Sequence, residues 1–125
     1  YVYGFVVGTK LNNIKEKINN YQGLKLQYFN PSSGSFDLIA TGVKFGLLIN
    51  GTEYDYTVIV KGDVDGDGKI FATDYVKVRN HIMGKTSLSE VSLKAADING
   101  DGKIFATDYV KIRNHIMGIG NISQK

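Results

Sequence analysis

The sequence predicts two small modules placed end to end. Residues 1–61 form an α+β half, a short antiparallel sheet with one helix against it, and residues 62–125 form an all-α half of two loop–helix repeats and a connecting helix. Three observations carry that reading. From Gly66 to Gly84 the chain reads GDGKIFATDYVKVRNHIMG, and the same nineteen residues return from Gly100 to Gly118 with only Val78 exchanged for Ile112. Residues 43–60, VKFGLLINGTEYDYTVIV, alternate apolar and polar side chains on both sides of Asn50-Gly51. Ahead of them, Leu11, Ile14 and Ile18 recur at helical spacing.

In chain order, YVYGFVV (1–7) is β-branched and aromatic and predicts a strand. In TKLNNIKEKINN, Thr9 stands where an N-cap is wanted, and Leu11, Ile14 and Ile18 line one face of an amphipathic helix. LKLQYF (24–29) predicts a strand with Leu24, Leu26 and Tyr28 on one face, and NPSSGS (30–35) predicts a turn. Asn50-Gly51 predicts a type I′ hairpin, because both central residues of that turn need positive φ. A two-residue closure pairs Ile49 with Thr52, Leu47 with Tyr54, Phe45 with Tyr56 and Val43 with Val58. Asn50-Gly51-Thr52 also fits a glycosylation sequon, which the turn explains unaided. The aromatics of this half, from Tyr1 to Tyr56, are read as filling a small core, with a carbohydrate-stacking platform as the alternative. Lys61 and Gly62 then lead straight into Asp63 with no Pro- or Ser-rich linker, so the modules are expected to be held rigidly together.

Each repeat contains a twelve-residue loop, 63–74 and 97–108. Asp63, Asp65, Asp67 and Asp74 stand at positions 1, 3, 5 and 12 of the first, and Asp97, Asn99, Asp101 and Asp108 at those positions of the second. A hard cation wants six to eight oxygens, and alternate side chains of a tightly curled loop converge on one point. Gly68 and Gly102 at position 6 permit the sharp turn, and the carbonyls of Lys69 and Lys103 at position 7 supply backbone ligands. The spacing therefore predicts two Ca²⁺ sites; Mg²⁺ is disfavoured because it keeps its waters and demands a rigid octahedron. Position 12 is Asp rather than the usual bidentate Glu, and the first loop is entered from the strand-like YTVIV rather than from a helix. Four carboxylates crowd the first loop and three the second, so calcium is expected to be coupled to the folding of residues 62–120.

A helix follows each loop. Tyr75, Val78 and Ile82 form its core stripe, Val76, Arg79, Asn80 and Met83 a second stripe beside it, while Lys77 and His81 point away. The second copy repeats this face with Val110, Arg113, Asn114 and Met117. An arginine bracketed by apolar residues reads as an interface centre; the alternative is a stem that snorkels over the core edge. Between the repeats, SLSEVSLKAA (87–96) predicts a short helix with Ser87 and Glu90 at capping-box spacing.

The composition excludes several functions. The chain has 125 residues, 42% hydrophobic and 22% charged, within the soluble globular range, and its opening on Tyr1 leads one to expect a fragment or processed form of a longer chain. It has no cysteine, hence no disulfide or thiolate metal site, and no apolar run of the ~20 residues that membrane insertion requires. Net charge is +3, but the clustered charges are carboxylates inside the repeats, the opposite of a nucleic-acid footprint. No nucleophile elbow or phosphate-binding glycine loop is present, so the segment is read as non-catalytic. His81 and His115 occupy equivalent surface positions, where a metal-binding pair is the lesser reading.

Two loops of the form D-x-[DN]-x-D-G-x5-D, each followed by a single helix and joined by a short one, resemble a dockerin domain over about residues 62–120. The resemblance implies a Ca²⁺-dependent module of a secreted or surface-associated bacterial protein, often a carbohydrate-active cellulosome component, that binds a cohesin on a scaffold or cell surface. It implies near two-fold symmetry, so that either helix can meet the same cohesin. The family pattern places the partner contacts on Ala72, Thr73, Val76, Arg79, Asn80 and Met83, with Ala106, Thr107, Val110, Arg113, Asn114 and Met117 as the second set. Two departures stand out: Ala72 and Ala106 replace the serine of a Ser-Thr pair, and Phe71 and Phe105 occupy loop position 9. The N-terminal half resembles the X modules that precede some dockerins, which implies a buttressing role. The competing reading is a calcium-stabilised stalk whose helices pack on the parent protein with no cohesin. A calcium sensor is disfavoured by the missing entering helices.

Overall fold

Asn50 at φ 50° and Gly51 at φ 85° turn the chain back on itself in the computed structural model, which describes residues 1–124. They join β2 (Lys44–Ile49) to β3 (Thr52–Thr57) in the register expected, with Ile49 opposite Thr52, Leu47 opposite Tyr54 and Phe45 opposite Tyr56. Val43 continues the pairing beyond the ladder by accepting the Val58 N–H at 2.8 Å. β1 (Leu24–Asn30) adds antiparallel to β2, giving a three-stranded sheet in the order β1-β2-β3.

A bulge between Leu26 and Tyr28 shifts the phase of β1. Phe29, not Tyr28, therefore faces the core, opposite Phe45. Phe45 stacks between Phe29 at 5.5 Å and Tyr56 at 5.1 Å, and together they anchor the sheet's inner face. Tyr28 lies on the outer face across Gly46, where no side chain obstructs its ring, and donates its hydroxyl to Asp55 Oδ1 at 2.8 Å. The core reading of the aromatics thus holds for Phe29, Phe45 and Tyr56, whereas Tyr21 and Phe36 are exposed.

Residues 1–7 do not form the expected strand. Gly4 adopts φ 99° and breaks the extended run, so pairing is confined to Val2, which bridges in parallel to Val58 and exchanges hydrogen bonds with Thr57 and Ile59. α1 (Leu11–Asn19) is capped at Lys10 rather than Thr9, because the Thr9 hydroxyl donates back to the Val6 carbonyl at 2.8 Å. Leu11 and Ile14 bury the helix's apolar face against Ile39, Ala40, Val43, Phe45, Leu47, Val58 and Val60.

The second core gathers Val64, Ile70, Val78, Ala96, Ile98 and Ile112, with Tyr75, Leu88, Tyr109 and Ile122 at its edge. α2 (Ala72–Ile82) and α4 (Ala106–Ile116) meet there through fully buried Val78 and Ile112, and their tyrosines Tyr75 and Tyr109 pack edge-to-face at 5.5 Å. α3 (Glu90–Ala96) begins later than expected: Ser89, not Ser87, accepts the Ser92 N–H. Residues ahead of it instead carry Leu88 into the core, with the Leu88 N–H donated to His81 Nδ1 at 3.2 Å. His81 therefore does not point away. His115 accepts the Ile122 N–H at the same 3.2 Å, so the structural repeat runs on to Leu88 and Ile122, past the point where the sequences part. Beyond Ile122 the tail returns to the module junction, where the Gln124 side-chain amide accepts from the Lys61 N–H and donates to its carbonyl, both at 2.8 Å. No helix among the described residues is long and apolar enough to cross a membrane.

Candidate metal centres and the exposed helix faces

The first loop brings carboxylate oxygens of Asp63, Asp65, Asp67 and Asp74 within 4.8 Å of one another, and the second does the same for Asp97, Asp101 and Asp108. Asn99 joins the second group, its Oδ1 accepting the Asp101 N–H at 3.2 Å. Backbone donors curl each loop around its carboxylates. Asp74 accepts from Val64, Asp65 and Phe71, and Asp108 from Ile98 and Phe105. A shorter Asp at position 12 thus fastens the loop's start to the first turn of the following helix. Lys69 and Lys103 sit at position 7 with their N–H groups donated to Asp67 and Asp101 at 2.9 Å, and their ammonium groups turn out over the rings of exposed Phe71 and Phe105.

Burial dominates the electrostatics of the two most enclosed carboxylates of the first loop. Burial pushes Asp63 up to about 8 against the Thr41 and Gly68 N–H bonds that favour its charged form. Burial also pushes Asp74 up to about 7. Asp101, on the open second loop, is held low by the Lys103 N–H. Such crowded oxygen donors fit a hard divalent cation, whose charge would offset both burial and mutual repulsion. An independent observation agrees: Asp97 Oδ1 is buried and accepts no hydrogen bond from any described residue, as suits an acceptor for a cation.

The two loops differ in what surrounds them. Residues 32–41 of the N-terminal module close over the first. Thr41 donates its N–H to Asp63 Oδ2 at 3.0 Å, and its hydroxyl accepts from the Val60 N–H and donates to the Val60 carbonyl. Ser32 Oγ donates to the Gly66 carbonyl, and Gly34 lies so close that a Cβ there would fall 2.7 Å from the Gly66 oxygen. Ser32 and Thr41 are polar and buried, a combination that calls for such partners. Sequence reasoning did not find them, because they reach the loop from 34 and 22 residues away and no local pattern announces it.

The predicted contact residues form two matched faces. Ala72, Thr73, Val76, Arg79 and Met83 are exposed and Asn80 half-buried; Ala106, Thr107, Arg113 and Met117 are exposed and Val110 and Asn114 half-buried. Met83 and Met117 are 58% and 62% exposed, values for solvent-facing apolar side chains that recur at both copies. Thr73 donates to Asp65 Oδ2 at 2.9 Å, tying one contact position to its loop. Ile82 and Ile116, expected in the core stripe, are each 37% exposed, since the stripe runs off the end of the core in the last turn. They extend the apolar patch beside Met83 and Met117.

Comparison with known proteins bears on these loops. The family model for the dockerin type I domain matches residues 61–117. A solved structure of the third cohesin of ScaC in complex with the ScaB dockerin from Acetivibrio cellulolyticus, displaying a type I interaction, also matches. The likeness is 32% in sequence identity, covers 53% of this chain and 93% of that one, and has a TM-score of 0.49. No curated protein gives a significant match.

Proposed function

Residues 61–117 belong to the dockerin type I family, and from that premise we propose that this chain attaches its parent protein to a cohesin. Dockerins are non-catalytic binding modules, and type I dockerins bind calcium. The acidic clusters of loops 63–74 and 97–108 are consistent with that chemistry. Each loop holds one ion: Asp63, Asp65, Asp67 and Asp74 with the Lys69 carbonyl in the first, and Asp97, Asn99, Asp101 and Asp108 with the Lys103 carbonyl in the second. The module boundary falls at residues 61–62, with 1–61 buttressing the dockerin as an X-like module. The parent protein is secreted or surface-attached and serves a cellulosome-type assembly that degrades polysaccharide.

The observation that carries this reading is the repetition of one exposed face, Val76, Arg79 and Met83 on α2 against Val110, Arg113 and Met117 on α4. A partner that recognises either face can seat the module in two orientations.

The test is calorimetric titration of residues 1–125 with a panel of type I cohesins, the ScaC cohesin among them, in calcium and in chelator. Binding in calcium alone is expected. Two equal orientations make the paired substitution Arg79→Ala/Met83→Ala cost only about twofold in affinity, and its counterpart Arg113→Ala/Met117→Ala the same, because one of two equivalent bound states remains. Combining all four should abolish binding. If either pair alone abolishes it, the two-orientation reading fails.

A further inference from the structure

We infer that the N-terminal module is a built-in organiser of calcium loop one, so that the two loops of near-identical sequence take up calcium in a fixed order, loop one first. The inference rests on the calcium reading above and adds what that reading does not contain, a division of labour between the loops.

Four backbone N–H groups donate to the Asp63 carboxylate: Gly66 and Asp67 to Oδ1, Gly68 and Thr41 to Oδ2. Three come from the loop itself and one from the other module. Asp97, at the same position of loop two, accepts from Gly102 at Oδ2, and its Oδ1 has no hydrogen-bond partner among the described residues. The loop backbones approach their surroundings just as unequally. A Cβ on Gly66 would fall 2.7 Å from the Thr41 carbonyl oxygen, and one on Gly68 2.9 Å from Leu38 Cβ, whereas at Gly100 and Gly102 nothing lies within 4 Å. Loop one is therefore moulded against residues 32–41, with its ligands positioned and its backbone ordered in advance. Loop two stands open, and its first carboxylate completes its coordination only with a cation. A site whose ordering cost has already been met binds more tightly than one that must order on binding. The greater ligand charge of loop one acts in the same direction.

Linkage makes the coupling reciprocal: calcium in loop one strengthens the docking of residues 32–41 as much as that docking strengthens calcium. The calcium-dependent unit thus extends beyond residues 62–120 into the N-terminal module, through Ser32 and Thr41 as positioning residues.

The experiment follows amide hydrogen exchange of the full 1–125 chain by NMR across buffered free calcium. Loop one is expected to gain protection at a calcium concentration about tenfold below that of loop two, an ordinary size for coupling between sites. The Thr41 amide is expected to gain protection together with loop one. Gly66→Ala and Gly100→Ala form a matched pair, since φ is 76° and 72° and the backbone cost is shared, but only the former meets the other module. Gly66→Ala should move the loop-one and Thr41 midpoints to higher calcium, and Gly100→Ala the loop-two midpoint alone. Ser32→Ala, a milder change that removes one hydrogen bond, keeps the test decisive should Gly66→Ala not fold. It should narrow the gap between the loops. Equal midpoints in the parent chain, or a Thr41 amide that ignores calcium, overturn the inference. Absence of calcium-dependent protection in either loop would overturn the calcium reading itself.

Discussion

Loops 63–74 and 97–108 share ten of their twelve residues and differ only at Val64 against Ile98 and Asp65 against Asn99. Their surroundings differ far more. Asp63 is fully buried beneath a second module, and Asp97 is half-buried at an open surface. A ligand motif specifies which oxygens converge; the neighbouring backbone decides how much of their geometry exists before the ion arrives. Identical spelling does not make identical sites.

Substituting the paired aspartates breaks that comparison most strongly. Asp63→Asn places an amide where four N–H groups need an acceptor, and should cost about 3 kcal/mol in calcium-saturated stability. Asp97→Asn should cost clearly less by the same measure, thermal or urea unfolding, since apart from its ion only the Gly102 N–H depends on that carboxylate. Equal losses would mean that the packing around loop one contributes nothing.

An intermediate effect is expected from pH. Burial raises Asp63 from 3.8 to about 8 and Asp74 to about 7. Since the folded-state values exceed the unfolded ones, both groups favour the calcium-free fold fully below pH 4, and that contribution disappears as pH rises through 7 to 8. Calcium requires the charged forms, so its binding should release protons and its affinity for loop one should fall as pH drops from 8 to 6. The loss approaches tenfold per pH unit for each group below its pKa. Calcium titrations in buffers of different ionisation enthalpy read the proton release directly; heats that do not vary with buffer would count against it.

The smallest effect sharpens the symmetric part. His81→Ala and His115→Ala each remove an acceptor for the first core-entering N–H after their helix, Leu88 and Ile122. Each should cost about 1 kcal/mol, and the two costs should match. A large mismatch would show that the repeats diverge in the core as well as around the loops.

Legibility in the sequence followed contact range. The hairpin, its register and the convergence of the twelve-residue loops were readable because each is set within a few residues: Asn50-Gly51 selects its turn, and alternating carboxylates curl toward one point. The matched helix faces were readable from periodicity. Features decided by local exceptions to a pattern, or by distant partners, were not. Gly4 turned a strand-like composition into a single bridge, a bulge exchanged Tyr28 for Phe29, and His81 found the backbone of Leu88. Ser32 and Thr41 looked like turn residues, and their role emerged only when folding set them against a loop more than twenty residues away.

The clasp between Gln124 and Lys61 has a mechanical meaning. It joins the point where the chain enters the dockerin to the stretch where it leaves, through a pair of hydrogen bonds at 2.8 Å. Tension applied between those two points falls first on that pair, loading both bonds together, before it reaches either helix or either loop. The pair lies apart from the exposed faces of α2 and α4, so a strain taken up there leaves those faces undisturbed.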